Sequence, residues 1–220
     1  MKIKICGITC EKEIEYLNIL KPDYIGFVFT KSKRQISAFD AKLLRKKLNP
    51  EIKCVGVFKD NSLIEINNVL KKVNLDVVQL HGSENFDFIN LLKKNENHKF
   101  EIWKALSINN KIFLNEYVSY YMRMKNNCVM DNILIDGCNP GSGETYSLAP
   151  FMEIIKKHCD LNNDFKFIIA GGITPENVLL KIKESNPWGV DVSSGVEDIN
   201  KDGVTMKSFD KMKVLINKIR

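Results

Sequence analysis

Two segments near the C-terminal end of the sequence are the first candidates for chemistry. Gly171-Gly172 and Ser193-Ser194-Gly195 each follow a short apolar run. Glycines in such places let backbone N–H groups approach an anion closely. Either segment alone is more typical of a tight turn, but the two together, after successive runs, favour a phosphate site. Gly141 and Gly143, in a third segment, can close over the ligand or complete that site, although their spacing is not that of a nucleotide-binding P-loop.

Cys6 and Asp136 each end a strand-like run and are the candidates for acid–base chemistry. A cysteine thiol has a reference pKa of about 8.5, so it can accept a proton near neutrality where its surroundings stabilise the thiolate. A carboxyl group in a desolvated pocket can hold a proton and donate it. Taken alone, a strand-end cysteine is more often a small core residue, and an aspartate is about as often a capping or loop-fixing residue.

Three further residues are candidates for binding a ligand. Arg34 can pair with a carboxylate through its planar fork, or it can be a solvated loop residue. His81 can contact a ligand or hydrogen-bond to neighbouring loops. Asp191, inside a strand-like run, is either a buried acid that needs a partner or a loop anchor.

The elements that must position these residues alternate in a regular way. Short runs rich in β-branched and aromatic residues are typical of parallel strands buried on both faces. Each is followed by an amphipathic stretch, which predicts a parallel sheet with helices outside it. The predicted strands are Lys2–Cys6, Tyr24–Phe29, Lys53–Phe58, Val77–Leu80, Phe100–Leu106, Asn132–Asp136, Lys166–Ala170 and Gly189–Val192.

Eight such units without a linker predict one α/β domain over residues 1–220, a closed (β/α)8 TIM barrel. Active sites of these barrels lie at the carboxyl ends of the strands, and phosphate sites recur after strands seven and eight. An open doubly wound sheet would be expected to carry G-x-G-x-x-G after its first strand, which is absent here. Predicted helices include Glu11–Leu20, Ser62–Val73, Pro175–Ile182 with Thr174 as N-cap, and Lys207–Ile219.

The composition excludes several classes of protein. The 220 residues are 44% hydrophobic and 27% charged, as in globular proteins, and no apolar run approaches the roughly 20 residues that span a bilayer. The net charge of +6 comes from scattered lysines, without the basic stripe expected of a nucleic-acid-binding protein. The six cysteines suggest a reducing compartment. We therefore expect a cytoplasmic protein with a small anionic ligand and no nucleic-acid, membrane or metal partner.

Taken in chain order, the motifs resemble those of the phosphoribosylanthranilate isomerase family over nearly the whole chain. The opening Cys6-Gly7-Ile8-Thr9, combined with Gln79-Leu80-His81-Gly82 and with Asp191-Val192-Ser193-Ser194-Gly195-Val196-Glu197, is specific to that family. Ala170-Gly171-Gly172-Ile173 is shared with other phosphate-binding barrels.

The resemblance implies a cofactor-free Amadori rearrangement of a sugar phosphate, an aldose–ketose isomerisation in tryptophan biosynthesis. It implies that Cys6 is the general base, which removes the proton from C2′, and that Asp136 is the general acid, which protonates the ring oxygen. Arg34 would then lie near the anthranilate carboxylate, and His81 and Asp191 would be further substrate-binding positions. The glycine and serine segments would hold the phosphate. We expect a monomer or a homodimer.

Two segments depart from the family's pattern. Tyr146-Ser147-Leu148 replaces residues that usually include a tryptophan, which concerns the packing of the loop after strand six. Gly203-Val204-Thr205-Met206-Lys207 replaces a Gly-x-Lys-Asp turn, and we expect it at the start of the last helix, away from the proposed acid and base.

Two other functions remain open on the sequence. Among related barrel enzymes, a ribulose-phosphate epimerase would need metal ligands at several strand ends, and an indole-glycerol-phosphate synthase would need a catalytic lysine on strand two or three. Neither pattern is present. A non-catalytic sugar-phosphate sensor would have lost Cys6 or Asp136, and the sequence retains both.

Overall fold

The eight predicted strands pair in chain order, all parallel, and the first also pairs with the eighth, so the sheet closes into a barrel. The computed structural model describes residues 1–94, 99–124, 130–137, 147–158, 165–199 and 203–220. The barrel strands are β1 (Lys2–Cys6), β2 (Tyr24–Val28), β3 (Lys53–Phe58), β4 (Val77–Leu80), β5 (Glu101–Ser107), β6 (Asn132–Asp136), β7 (Phe167–Ala170) and β8 (Gly189–Val192).

A helix follows each strand, as the alternating pattern predicts. The helices are α1 (Glu11–Leu20), α2 (Ala38–Lys47), α3 (Leu63–Leu70), α4 (Phe86–Lys93), α5 (Lys111–Met124), α6 (Ala149–His158), α7 (Val178–Ser185) and α8 (Phe209–Ile219). Within the described part of the chain, no helix is both long enough and apolar enough to cross a membrane. The (β/α)8 prediction is confirmed.

The strands are buried on both faces because they separate two apolar layers. Side chains alternate along a strand, so one set points into the barrel and the other packs under the helices. The inner set includes Val55, Val77, Leu134 and Ile168. Trp103 is fully buried among them and contacts the Tyr24 ring edge-on, with 4.8 Å between the two ring centroids. This packing fills the barrel, so a ligand can enter only above it, at the carboxyl ends of the strands.

The predicted starts of two helices are wrong for physical reasons. Helix α7 begins at Val178, three residues after Pro175, and Thr174 is not its N-cap. Asn177 holds the preceding turn instead, because its Oδ1 accepts from the Thr174 N–H and its Nδ2 donates to the Gly172 carbonyl.

The last helix also starts later than predicted, at Phe209. The residues before it form a short strand, β10 (Thr205–Lys207), which pairs antiparallel with β9 (Glu197–Ile199). This two-stranded sheet lies outside the barrel and brings Lys207 next to the loop that follows β8. The expectation that this segment lies away from the proposed base is wrong for Lys207, because its charge lowers the pKa of the Cys6 thiol.

Candidate active site

A cavity of about 340 Å³ opens at the carboxyl ends of the strands. Every predicted site residue within the described ranges lines it: Cys6, Arg34, His81, Asp136, Gly171, Gly172, Asp191, Ser193, Ser194 and Gly195. Gly141 and Gly143, also predicted to bind phosphate, lie outside the described residues. The cavity therefore brings together a thiol, a carboxyl and two glycine-containing loops that are far apart in the chain.

On one side of the cavity, Cys6 lies in a buried cluster of charges. Lys4 is two residues earlier on β1, so both side chains point into the barrel. The Lys4 Nζ donates to the Asp191 Oδ2 at 2.8 Å, which gives the buried acid its partner. Burial raises the pKa of the Cys6 thiol, and the charge of Lys4 offsets part of this rise. Lys4 therefore makes the thiolate more accessible than burial alone would allow.

Asp191 has one carboxylate oxygen available for a ligand. Its Oδ2 is bonded to Lys4, but its Oδ1 is buried and has no hydrogen-bond partner among the described residues. A buried carboxylate oxygen left without a donor is costly. Because Asp191 lines the cavity, a hydroxyl group of a bound ligand can supply that donor.

Arg34 is held by a residue that was not predicted as part of the site. Its Nε and a terminal nitrogen donate to the two carboxylate oxygens of Glu197 at 2.5 and 2.6 Å. Lys207 Nζ donates to the same carboxylate at 2.5 Å and to the Ser193 carbonyl at 3.1 Å. Burial would raise the pKa of Glu197, but these two cations lower it to about 2. The Glu197 carboxylate thus fixes the guanidinium plane at the cavity wall.

Gly7 explains why the Arg34 side chain can lie where it does. A Cβ at position 7 would fall 2.3 Å from the Arg34 Cδ, and the Gly7 φ of +86° favours glycine. The stem of Arg34 therefore packs directly over the loop that follows β1. This contact places the guanidinium beside the end of the strand that carries Cys6.

On the other side of the cavity, Asp136 contacts an imidazole ring that is bonded in turn to an amide. Its Oδ2 is 3.0 Å from the His81 Nε2, and the His81 Nδ1 is 3.1 Å from the Gln79 Nε2. A Cβ at Gly171 would lie only 2.5 Å from the Asp136 Oδ1, and the Gly171 φ is +81°. Gly171 therefore has a second function besides any contact with an anion, because it makes room for the carboxyl group.

The loop that carries His81 rests on a buried ion pair. The Lys104 Nζ donates to the Glu84 Oε2 at 2.8 Å and to the Gly82 carbonyl at 2.6 Å, and both side chains are almost fully buried. Glu84 in turn accepts from the backbone N–H groups of Asp60 and Gly82. These bonds fix the backbone beside His81, so the ring is held against Asp136.

The glycine-containing loops after β7 and β8 meet at the remaining end of the cavity. A Cβ at Gly195 would fall 1.9 Å from the Ile173 carbonyl oxygen, so only glycine allows the two loops to approach this closely. Ser193 Oγ donates to the Cys6 carbonyl at 3.0 Å and ties the β8 loop to β1. Two backbone segments thus converge as a phosphate site in a barrel requires.

A family model supports an assignment of the whole chain. Residues 3–218 match the model described as N-(5'phosphoribosyl)anthranilate (PRA) isomerase. The N-(5'-phosphoribosyl)anthranilate isomerase of Clostridium beijerinckii is 50% identical, and the alignment covers 100% of this chain and 97% of the relative.

Solved structures agree with this match. Phosphoribosyl anthranilate isomerase from Thermotoga maritima is 31% identical with a TM-score of 0.80, and the alignment covers 99% of this chain and 97% of that chain. A second structure of this kind of enzyme, 30% identical with a TM-score of 0.75 and the same coverage, is a complex with reduced 1-(o-carboxyphenylamino)-1-deoxyribulose 5-phosphate.

Proposed function

The chain belongs to the family of N-(5'-phosphoribosyl)anthranilate isomerases and catalyses this isomerisation in tryptophan biosynthesis, and we propose that Cys6 and Asp136 are the base and the acid that carry it out. The observation that carries the proposal is that this thiol and this carboxyl line one cavity, together with two glycine-containing loops. Proton transfers to and from one substrate need two such groups in fixed positions.

The first step is opening of the sugar ring. Asp136 donates its proton to the furanose ring oxygen, the bond between that oxygen and C1′ breaks, and C1′ forms a Schiff base with the anthranilate nitrogen. His81, bonded to Asp136 Oδ2, keeps the carboxyl group directed into the cavity.

The second step is transfer of hydrogen from C2′ to C1′. Cys6, as the thiolate, removes the C2′ proton, and the electron pair of the C–H bond forms an enolamine. Cys6 then returns this proton to C1′, while the C2′ hydroxyl proton passes to Asp136. The product is the ketose, and both groups return to their starting protonation states. The steps involve no cofactor.

The charged ends of the substrate match the ends of the cavity. The phosphate would be held by backbone N–H groups of Gly171, Gly172 and Ser193-Ser194-Gly195, where the loops after β7 and β8 converge. The anthranilate carboxylate would lie near Arg34, whose guanidinium is fixed by Glu197. The Asp191 Oδ1 would accept from a ribose hydroxyl, and His81 would complete the binding site.

The proposal is tested with two substitutions and two matched controls. Cys6→Ala and Asp136→Asn should each lower kcat by at least about a hundredfold, which is the low end of what acid–base groups contribute. Isomerisation of freshly made substrate is followed by the loss of anthranilate fluorescence. Cys54→Ala, a buried cysteine outside the cavity, and Asp131→Asn, an aspartate just before β6, should retain normal rates.

The outcomes separate the possible roles. Wild-type rates in either Cys6→Ala or Asp136→Asn would refute the role proposed for that residue. A flat signal with the intact protein would instead favour the sensor function. A circular dichroism melt of each variant separates a loss of chemistry from a loss of folding.

We also propose that residues 1–220 act as one domain, as a monomer or homodimer in the cytoplasm. The closed barrel formed by strands from both ends of the chain supports the single domain. One of the similar solved structures is described as monomers generated from the dimeric Thermotoga maritima isomerase, so both states are compatible with this kind of fold.

A further inference from the structure

Gln79 lies beneath His81 at the end of β4 and has one satisfied and one unsatisfied polar atom. Its side chain is almost fully buried and lines the cavity. The Nε2 is 3.1 Å from the His81 Nδ1, whereas the Oε1 has no hydrogen-bond partner among the described residues. Buried amide oxygens normally accept a hydrogen bond, so an Oε1 without a partner requires an explanation.

The present orientation of the amide decides where the proton of a neutral imidazole lies. A neutral ring has one N–H and one acceptor nitrogen. When the Gln79 amide nitrogen donates to Nδ1, the ring proton must be on Nε2. The Nε2–H then donates to the Asp136 Oδ2 at 3.0 Å, an arrangement that suits an ionised carboxylate.

The opposite orientation suits the protonated carboxyl group. A half-turn of the amide exchanges its oxygen and nitrogen, so the Oε1 can accept from an Nδ1–H. The ring Nε2 is then an acceptor and can receive the O–H of protonated Asp136. The two orientations of Gln79 thus correspond to the two protonation states through which Asp136 passes during turnover.

The surrounding backbone keeps the ring in place while the proton changes its position. The Lys104 Nζ bonds the carbonyl groups of Gly82 and, at 3.4 Å, Leu80, the two neighbours of His81 in sequence. The backbone is therefore fixed on both sides of His81, and the ring keeps its position. A change in the amide and in the ring proton requires no movement of the loop.

We propose that Gln79 is a positioning residue for the isomerisation: its amide sets which ring nitrogen of His81 carries the proton, and so whether the ring donates to Asp136 or accepts from it. The inference rests on the role proposed for Asp136 as the acid. Gln79 itself need not touch the substrate, because it acts through His81.

Besides Asp136, other titratable and charged side chains face the Gln79–His81 pair from neighbouring elements. Among the described hydrogen bonds, none of these other side chains bonds to the His81 ring. A substitution of Gln79 therefore changes a hydrogen-bond partner of the ring without removing a charge. These groups are Cys6, Lys33, Arg34, Lys59, Asp60 and Asp191, with the Glu84–Lys104 pair behind the loop.

The direct test is nitrogen-15 NMR of the histidine ring nitrogens at about pH 8, above the ordinary titration range of histidine. The chain has three histidines, and the His81 signals are identified by their loss in His81→Gln. The ligand-free protein should carry the proton on Nε2. In Gln79→Glu, whose carboxylate can only accept, the His81 Nδ1 should become protonated. In Gln79→Met, only the bond to Asp136 remains to select the tautomer, so the fraction of the ring with its proton on Nε2 should fall.

Kinetics supply the second measurement. Gln79→Met should lower kcat about tenfold, the contribution of one hydrogen bond, with KM within about twofold of the wild-type value. Asn132→Leu is the matched control, because Asn132 also has a buried amide oxygen without a partner among the described residues but does not line the cavity. Its kcat and its His81 signals should be unchanged.

The two proposals fail in different ways. An Nδ1–H tautomer in the ligand-free wild type, or a ring unaffected by Gln79→Glu, would overturn the role of Gln79 whatever the activity of the variants. Normal kcat in Gln79→Met would do the same. Full activity of Asp136→Asn would instead remove the role of the acid, on which the inference rests.

Discussion

The two sides of the cavity hold their candidate groups in opposite ways. Cys6 lies among full charges, with Lys4 and Asp191 paired beside it and Lys207 close behind. Asp136 is bonded to an imidazole ring that is itself bonded to an amide. A buried base that must be an anion needs a nearby cation, whereas an acid that alternately holds and gives a proton needs partners that can both donate and accept. The difference follows from the chemistry proposed for each group.

Removal of the cation on the Cys6 side should lower activity the most. Lys4→Met removes the charge that lowers the pKa of the Cys6 thiol, while burial, which raises that pKa, remains. The thiolate fraction at pH 7 should fall, by tenfold for each unit of change. We expect kcat/KM to fall roughly a hundredfold and its acidic limb to move to higher pH. The rate of Cys6 alkylation by iodoacetamide, measured against pH, should shift in the same direction.

The controls for this prediction address the partner that Lys4→Met leaves behind. A buried carboxylate without its cation destabilises a fold strongly. The double variant Lys4→Met/Asp191→Asn removes both charges and tests the alkylation profile in a neutral site. Lys53→Met, which breaks a surface pair with Glu101, should change neither measurement. An alkylation profile of Cys6 that ignores the loss of Lys4 would contradict the distinction between the two sides.

On the Asp136 side, a substitution that adds one carbon tests whether activity depends on the position of the carboxyl group. In Gly171→Ala, the new Cβ would meet the Asp136 Oδ1 at 2.5 Å and displace the carboxyl group from His81. Because misplacement of a catalytic group by about 1 Å can cost on the order of a hundredfold, we expect kcat to fall between about tenfold and a hundredfold. The measurement is the steady-state rate together with the His81 ring signals.

Gly203→Ala is the matched control for this substitution. Gly203 has a similar positive φ of +77°, but a Cβ there would meet no atom of the described residues within 4 Å. Both variants therefore carry the backbone strain of a left-handed alanine, and only Gly171→Ala also crowds Asp136. Equal losses of activity in the two variants would mean that backbone strain alone explains the effect.

The residues on the two sides also differ in how well the sequence predicts them. Asp136 and Cys6 end strands whose burial is visible in the apolar pattern, and the glycines follow such strands. Lys4 could have been found as well, because it is two residues before Cys6 and so shares its face. Gln79 was within a recognised motif, but only its burial in the structure reveals the orphan oxygen.

Glu197 and Lys207 are harder to predict because their roles depend on long-range pairing. Glu197 approaches Arg34 only after the barrel closes and brings β8 beside β1. Lys207 lies on a three-residue strand that carries no periodic signal, so the sequence predicts the start of a helix there. Local propensity cannot specify contacts that are created by closure of the fold.

Loosening the Arg34 guanidinium without removing it should change activity less than the substitutions above. Glu197→Gln keeps the shape of the side chain but replaces the charged fork with a neutral amide, so the Arg34–Glu197 and Lys207–Glu197 bonds weaken. If Arg34 binds the anthranilate carboxylate, KM should rise about tenfold while kcat stays within about twofold.

Because the folded-state pKa of Glu197 is about 2, below its ordinary value of 4.5, the wild-type stabilisation from this carboxylate is present above about pH 4.5 and is lost only as the pH falls toward 2. Titration of Glu197 should therefore not raise the wild-type KM between pH 7 and pH 5. A fall in kcat with unchanged KM would mean that Glu197 acts on the chemistry through Lys207 and Cys6, and the charged side of the cavity would then extend from Lys4 to β10.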